Sequence, residues 1–185
     1  MTATEELMTE HRAIERMLAV LEAASGRLEA GDRVRPGLFR EAADFVRNFA
    51  DRCHHGKEED NLFPRLEELG VPREGGPLGV MLFEHDEGRA YIGAIADAVD
   101  AYELGDEAAA RTIAGNARGY VGLLRGHIQK EEGVLFPMAD QVLSADDQRS
   151  LEESFERIET QVMGGGAHER YHKMLARLEQ EMGLA

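Results

Sequence analysis

A chain of 185 residues, 43% of them hydrophobic, is long enough to bury a core, so we expect one compact protein. Its formal net charge of −15 disfavours nucleic acids and anionic membranes as partners, because phosphate contacts need clustered Lys and Arg. The single cysteine, Cys53, excludes an intrachain disulfide, and no apolar run approaches the roughly 20 residues of a membrane span. These features predict a soluble, cytoplasmic protein.

Apolar residues recur every three or four positions along most of the chain, and this spacing predicts amphipathic helices. Turn-forming Gly, Pro and Asp residues divide the pattern into helices over 4–28, 38–69, 78–104, 107–142, 145–163 and 167–182. Thr4 is the expected N-cap of the first helix, and Ser144 that of the fifth. Pro64 is expected to end or kink the second helix, because proline lacks an N–H. Three glycines, 164–166, separate the last two helices.

Short loops between long helices make successive helices antiparallel neighbours. The predicted fold class is therefore all-α, an up-down-up-down four-helix bundle with additional C-terminal helices. We assign residues 1–142 to the bundle and residues 143–185 to a helical extension that packs on it.

One motif occurs twice, in register. His54-x3-Glu58-Glu59 and His127-x3-Glu131-Glu132 are both followed, two residues later, by Leu-Phe-Pro. On a helix, the four-residue spacing places the imidazole and the first carboxylate on one face, roughly 6 Å apart at Cβ. Such a pair is a ligand set for a divalent transition metal, and its repetition favours a metal site over a surface contact.

A second pair of residues follows the same repeat. Glu10-His11 lies near the start of the first helix and Glu84-His85 near the start of the third. In an antiparallel bundle, all four histidines then lie on the order of 10–20 Å from the same end. Four imidazoles and two carboxylates are more than one ion needs, so we predict two ions bridged by Glu58 and Glu131. Mixed nitrogen and oxygen ligation suits iron or manganese better than structural zinc.

The first motif contains a rival pair, His55 and Glu59, with the same four-residue spacing. The second copy has Ile128 where the first has His55, so we predict that His54 and Glu58 face inward. His55 is then expected to lie behind the ligands or to be exposed. The other charged residues of the two motifs are expected to form a solvated face: Lys57, Glu59, Lys130 and Glu132.

These motifs resemble those of the hemerythrin-like family, also called the HHE cation-binding domain, over about residues 4–142. The resemblance implies a four-helix bundle with two iron ions joined by oxygen-derived bridges, for which manganese or zinc are substitutes. Members carry or sense O2, bind NO, turn over peroxide, or act in iron homeostasis and the repair of nitrosatively damaged iron centres. The implied partner is therefore a small diatomic or peroxide ligand; the oligomeric state is not predicted.

The chain departs from the oxygen carriers of this family. They have a second histidine four residues after the position of His85, where this chain has Arg89, which cannot ligate. They also have a His-x4-Asp pair where this chain has His127-x3-Glu131. Six ligands instead of seven disfavour reversible O2 carriage and favour redox chemistry, because substrate can reach the metal.

His168 is a candidate for the seventh ligand. It stands next to the glycine turn, and a last helix folded across the bundle could deliver it to the metals. The alternative is that His168 and His172 form a surface pair on an amphipathic helix. Tyr120 and Tyr171 are candidate hydrogen-bond donors to a bridging oxygen.

Three functions are consistent with this sequence. The first is a non-haem di-iron protein that binds O2, NO or peroxide in sensing, detoxification or iron homeostasis. The second is a peroxidase- or catalase-like enzyme, for which no separate catalytic residue is identified. The third is an iron-binding or iron-donating module without turnover. A structural bundle with incidental His-Glu pairs is the alternative from a different class.

Overall fold

The computed structural model describes residues 1–164 and 166–184, which are all-α as predicted and contain no β-strand. In these described residues, helices α1 to α6 span Ala3–Glu29, 36–68, Pro77–Glu103, 107–142, 145–163 and Ala167–Met182. None of these helices is long and apolar enough to cross a membrane. Gly165, in the middle of the predicted glycine interruption, lies outside the described residues. Gly164 and Gly166 on either side of it have φ angles of 70° and 78°, which favour glycine.

The first helix begins earlier than predicted. Thr2, not Thr4, is its N-cap, and Thr2 and Glu5 form a reciprocal capping box. The Thr4 hydroxyl instead donates to Asp140 Oδ1 at 2.7 Å, which joins α1 to the end of α4. Ser144 caps α5 as predicted.

Helices α2 and α4 widen into π-helical turns at the two motifs. The turns span Val46–His55 and Glu58–Leu62 in α2 and Glu131–Leu135 in α4. The Phe63 amide bonds to the Glu58 carbonyl, five residues back, and Phe136 bonds to Glu131 in the same way. Pro64 lies two residues after the wide turn, and α2 continues to Glu68. Of the two expected effects of Pro64, an end of the helix is not observed; instead the helix is locally widened over Glu58–Leu62, just before the proline that lacks an N–H.

Two hydrophobic clusters lie on either side of a polar layer. The larger cluster contains Ile14, Phe49 and Leu124, and the smaller one contains Leu7 and Phe136. The C-terminal extension, α5 and α6, packs on both: its buried residues include Leu151, Phe155, Tyr171, Leu175 and Leu178. The division of the chain into two domains at residue 142 stays a prediction.

Candidate metal centre

The polar layer between the two hydrophobic clusters holds six of the predicted ligands. Each is at most 2% exposed: His11, His54, Glu58, His85, His127 and Glu131. Their ligand atoms converge in two groups, in each of which all the atoms lie within 4.8 Å of one another. The first cluster consists of His11, His54, Glu58 and Glu131, and the second of His55, Glu58, His85 and His127.

Two carboxylates lie between the clusters. Glu131 has one oxygen 3.1 Å from His11 Nε2 and the other 3.1 Å from His127 Nε2. Glu58 has one oxygen 3.7 Å from His54 Nε2 and the other 3.5 Å from His85 Nε2. Each carboxylate therefore faces an imidazole of each cluster, which is the arrangement of a bridging ligand.

The inward-facing atoms lack the partners that buried polar atoms normally have. All four carboxylate oxygens of Glu58 and Glu131 are buried without a hydrogen bond, and so are His11 Nε2 and both ring nitrogens of His55. Unpaired buried polar atoms are unfavourable, and buried charges need a counter-ion or a metal. Several imidazoles and two carboxylates that converge with free lone pairs fit a pair of transition-metal ions.

The electrostatics of the carboxylate pair agree with this fit. Burial, together with the facing carboxylate of Glu131, raises the pKa of Glu58 well above its usual range. Burial opposes ionisation of Glu131 as well, but His127 and His11 outweigh it and hold the pKa of Glu131 well below its usual range. The two carboxylates therefore do not ionise together without a further cation.

A glutamate holds the outer nitrogen of each of four imidazoles. Nδ1 of the ring donates at 2.7–2.9 Å in the pairs His11–Glu132, His54–Glu10, His85–Glu59 and His127–Glu84. This bond fixes the ring and directs Nε2 toward the clusters, as outer carboxylates do for metal-bound histidines. The pairs follow the sequence repeat, because the glutamate comes either directly before a histidine or directly after a bridging glutamate. That adjacency is the signal that could have identified these four residues from the sequence.

A basic residue contacts each outer glutamate. The contacts are Arg12–Glu132, Lys57–Glu10, Arg89–Glu59 and Lys130–Glu84. The predicted solvated face is therefore wrong for Lys57, which is fully buried, and incomplete for Glu59 and Glu132, which are only 24% exposed and hold imidazoles.

His55 does not lie where the repeat predicts. It is buried, and its ring stacks on that of His85 with the centroids 3.8 Å apart. Burial, followed by the positive field of His85, lowers the pKa of His55 well below its usual range, which keeps its imidazole neutral. The expectation of an exposed His55 is wrong; that it lies behind the ligands stays a prediction. The structure places it in the second cluster.

His168 does not join the buried layer. Its side chain is 38% exposed, and its Nε2 lies 3.4 Å from Glu159 Oε1. It belongs to a third group with Glu10, Cys53 and Glu159. The ammonium of Lys57 lies 2.6 Å from both Glu10 and Glu159, so a protein cation already occupies this group.

A cavity of about 140 Å³ borders the second cluster. His55, His85 and Tyr120 line it, and Arg89 lies at the same cavity. The Tyr120 hydroxyl is buried without a hydrogen-bond partner, whereas the Tyr171 hydroxyl bonds to Asp44 at 3.2 Å. Of the two tyrosines, Tyr120 is therefore the one next to the centre with a free donor.

Known proteins resemble both the bundle and the whole chain. The model of the hemerythrin HHE cation-binding domain matches residues 2–139. Uncharacterized proteins of Mycobacterium tuberculosis and Mycobacterium bovis are each 29% identical over 183 residues, which cover 99% of this chain and 71% of each relative. These two matches therefore run through α5 and α6. No solved structure matches the chain.

Proposed function

Because the chain belongs to the hemerythrin HHE cation-binding domain family, we propose that its two buried clusters bind two iron ions that react with a small ligand. The observation that carries this proposal is the pair of buried carboxylates, Glu58 and Glu131, whose four oxygens lack hydrogen bonds and face imidazoles of both clusters. Iron in such a centre supplies binding and electron transfer to O2, NO or peroxide.

The donor atoms support iron or manganese over structural zinc. His11 and His54 would hold the first ion, and His55, His85 and His127 would hold the second, with Glu58 and Glu131 available to both. Imidazoles and carboxylates without a thiolate suit iron or manganese, whereas structural zinc sites are usually rich in cysteine. His168 is not part of this ligand set.

Protein groups prepare the site for these ions. The outer glutamates orient the rings and hold the proton of each ring at Nδ1, so that the lone pair at Nε2 faces the metal. Burial between two hydrophobic clusters excludes bulk water, while the cavity beside His55 and Tyr120 leaves space for a small molecule. A partner of this size, rather than a nucleic acid or a membrane, agrees with the net charge of −15.

Metal analysis of protein purified without added iron tests the proposal. We expect two iron ions per chain and near-ultraviolet absorption from an oxygen-bridged ferric pair. A colourless protein with at most one tightly held zinc ion would contradict it, and manganese in place of iron would correct the metal assignment.

Peroxide turnover is the second candidate function, and the cavity at the second cluster favours it. Tyr120 is placed there to donate a hydrogen bond to a small oxygen-containing molecule. Oxygen release from added peroxide, measured with an oxygen electrode, separates turnover from simple binding. A Tyr120→Phe variant keeps the ring and removes only the donor, so it should lower the rate without loss of iron.

A further inference from the structure

Lys57 and Lys130 occupy the same position in the two motifs but differ in environment. Lys57 contacts Glu10, which holds His54, and Lys130 contacts Glu84, which holds His127. The side chain of Lys130 is 44% exposed, whereas that of Lys57 is fully buried. The outer contacts of His54 and His127 are therefore equivalent in the repeat but differ in access to solvent.

The C-terminal extension is what buries Lys57. Glu159 of α5 lies 2.6 Å from the Lys57 ammonium, and the ring of Phe155, also in α5, lies 5.4 Å from it. Glu6 and Glu10 of α1 complete the cage at 2.6 Å each. A buried ammonium needs such partners, because unpaired charges are strongly unfavourable in a protein interior. The extension thus reaches the first cluster through three contacts in series: Glu159 to Lys57, Lys57 to Glu10, and Glu10 to His54.

Among the described residues, no carboxylate or aromatic ring of the extension contacts Lys130 as Glu159 and Phe155 contact Lys57. In the outer pair of the second cluster, Lys130 is 44% exposed and Glu84 is 12% exposed, and the cavity lined by His55 and His85 borders this cluster. An ion in the second cluster is therefore closer to solvent than an ion in the first.

We propose that the C-terminal extension retains the ion of the first cluster through Glu159, Lys57 and Glu10, while the ion of the second cluster exchanges with solvent. The inference rests on the proposed two-ion function. Lys57 and Glu159 are positioning residues, since they act on the metal through Glu10 and His54. These contacts would make the two ions of one centre differ in their rate of exchange, so that one iron is available for transfer while the other stays bound.

Iron release to a chelator tests this directly. Iron-loaded protein is reduced and mixed with an excess of a ferrous chelator, and the coloured complex is followed with time. We expect two phases of equal amplitude. Glu159→Gln should accelerate the slow phase, by less than the roughly 10–100-fold expected on removal of Glu10, the outer partner of His54 itself, and leave the fast phase unchanged. Glu156→Gln is the matched control, because Glu156 is an exposed carboxylate on the same helix.

Further variants assign the phases. Lys57→Met should act on the slow phase and Lys130→Met only on the fast phase. Circular dichroism establishes that each variant is folded, and Glu159→Gln is the mild change if Lys57→Met does not fold. A single phase in the unmodified protein, or equal acceleration of both phases by Glu159→Gln, overturns the inference while the two-ion function stands. Fewer than two iron ions in the unmodified protein would instead refute the proposed function, and the inference with it.

Discussion

The two helical hairpins supply equivalent ligands to the centre but surround them differently. Each hairpin contributes one histidine from its first helix and one from its second: His11 and His54 in one, His85 and His127 in the other. The first hairpin also contributes His55, and the extension covers only its outer contacts. The repeat therefore makes the ligands alike, and the residues outside the repeat make the two metal positions unlike.

The largest effect, a loss of bound iron, should come from replacing the bridging residues Glu58 and Glu131, which occupy the same position in the two hairpins. Glu58→Ala and Glu131→Ala should each lose at least one of the two ions, because each carboxylate faces both clusters. Elemental analysis of the purified variants measures this, with the exposed Glu153→Ala as the control. Full iron content in either bridging variant would mean that the carboxylates do not bridge.

His55 and Ile128 provide the next test, since they occupy matching positions in the two motifs. His55→Ala should weaken the second ion at least tenfold, because it removes an imidazole from that cluster. Ile128→Val should keep both ions and cost about 0.5–1.5 kcal/mol of stability as a small core truncation. Iron titration of each variant gives the affinities; two tight ions in His55→Ala would place His55 outside the ligand set.

The two motif lysines should differ in their contribution to stability. Lys57→Met leaves the buried Glu10 with one partner fewer and should lower the free energy of unfolding by about 3 kcal/mol. Lys130→Met removes a surface contact and should cost no more than about 1 kcal/mol. Urea unfolding of metal-free protein measures both. Equal losses would show that the extension does not bury Lys57 in solution.

The smallest effect concerns the attachment of the extension. Arg16 of α1 donates two hydrogen bonds to the carboxylate of Glu179 in α6. Arg118 donates two to Glu29, and this pair joins two helices of the bundle. Both pairs are partly exposed, so Arg16→Ala and Arg118→Ala should each cost up to about 1 kcal/mol. Only Arg16→Ala should also speed release of the slowly exchanging iron. If the slowly exchanging iron is released at the same rate from Arg16→Ala and Arg118→Ala, the attachment of the extension does not contribute to metal retention.

The helices were predictable from local sequence patterns, and so was the position along the bundle axis at which the candidate ligands lie. Apolar spacing, turn residues and caps such as Ser144 gave helix limits within a few residues of those observed. The repeat gave the first cluster and two histidines of the second, because equal spacing on antiparallel helices brings ligands to one level. The N-cap of α1 was assigned to Thr4 instead of Thr2 because the two threonines are close together in the sequence. Only the fold shows that the Thr4 hydroxyl donates to Asp140.

His55 and Lys57 could not be predicted from α-helical spacing. The segment Val46–His55 is π-helical, with more residues per turn than an α-helix, so successive side chains turn through a smaller angle. His54 and His55 consequently both reach the interior. Lys57 depends instead on contacts with α5, about 100 residues further along the chain. No local pattern carries such a contact, and a charged residue is normally exposed.

The position of the extension in the chain also sets an order in time. The helices that carry all the proposed ligands precede Phe155 and Glu159, and a chain being synthesised emerges and folds from its N-terminal side. The bundle can therefore assemble while its cover is still being made. Until α5 docks, Lys57 lacks its contacts with Phe155 and Glu159, so the first cluster lacks the contacts that we propose retain its ion. The proposed retention of the first ion would therefore arise only after α5 has docked.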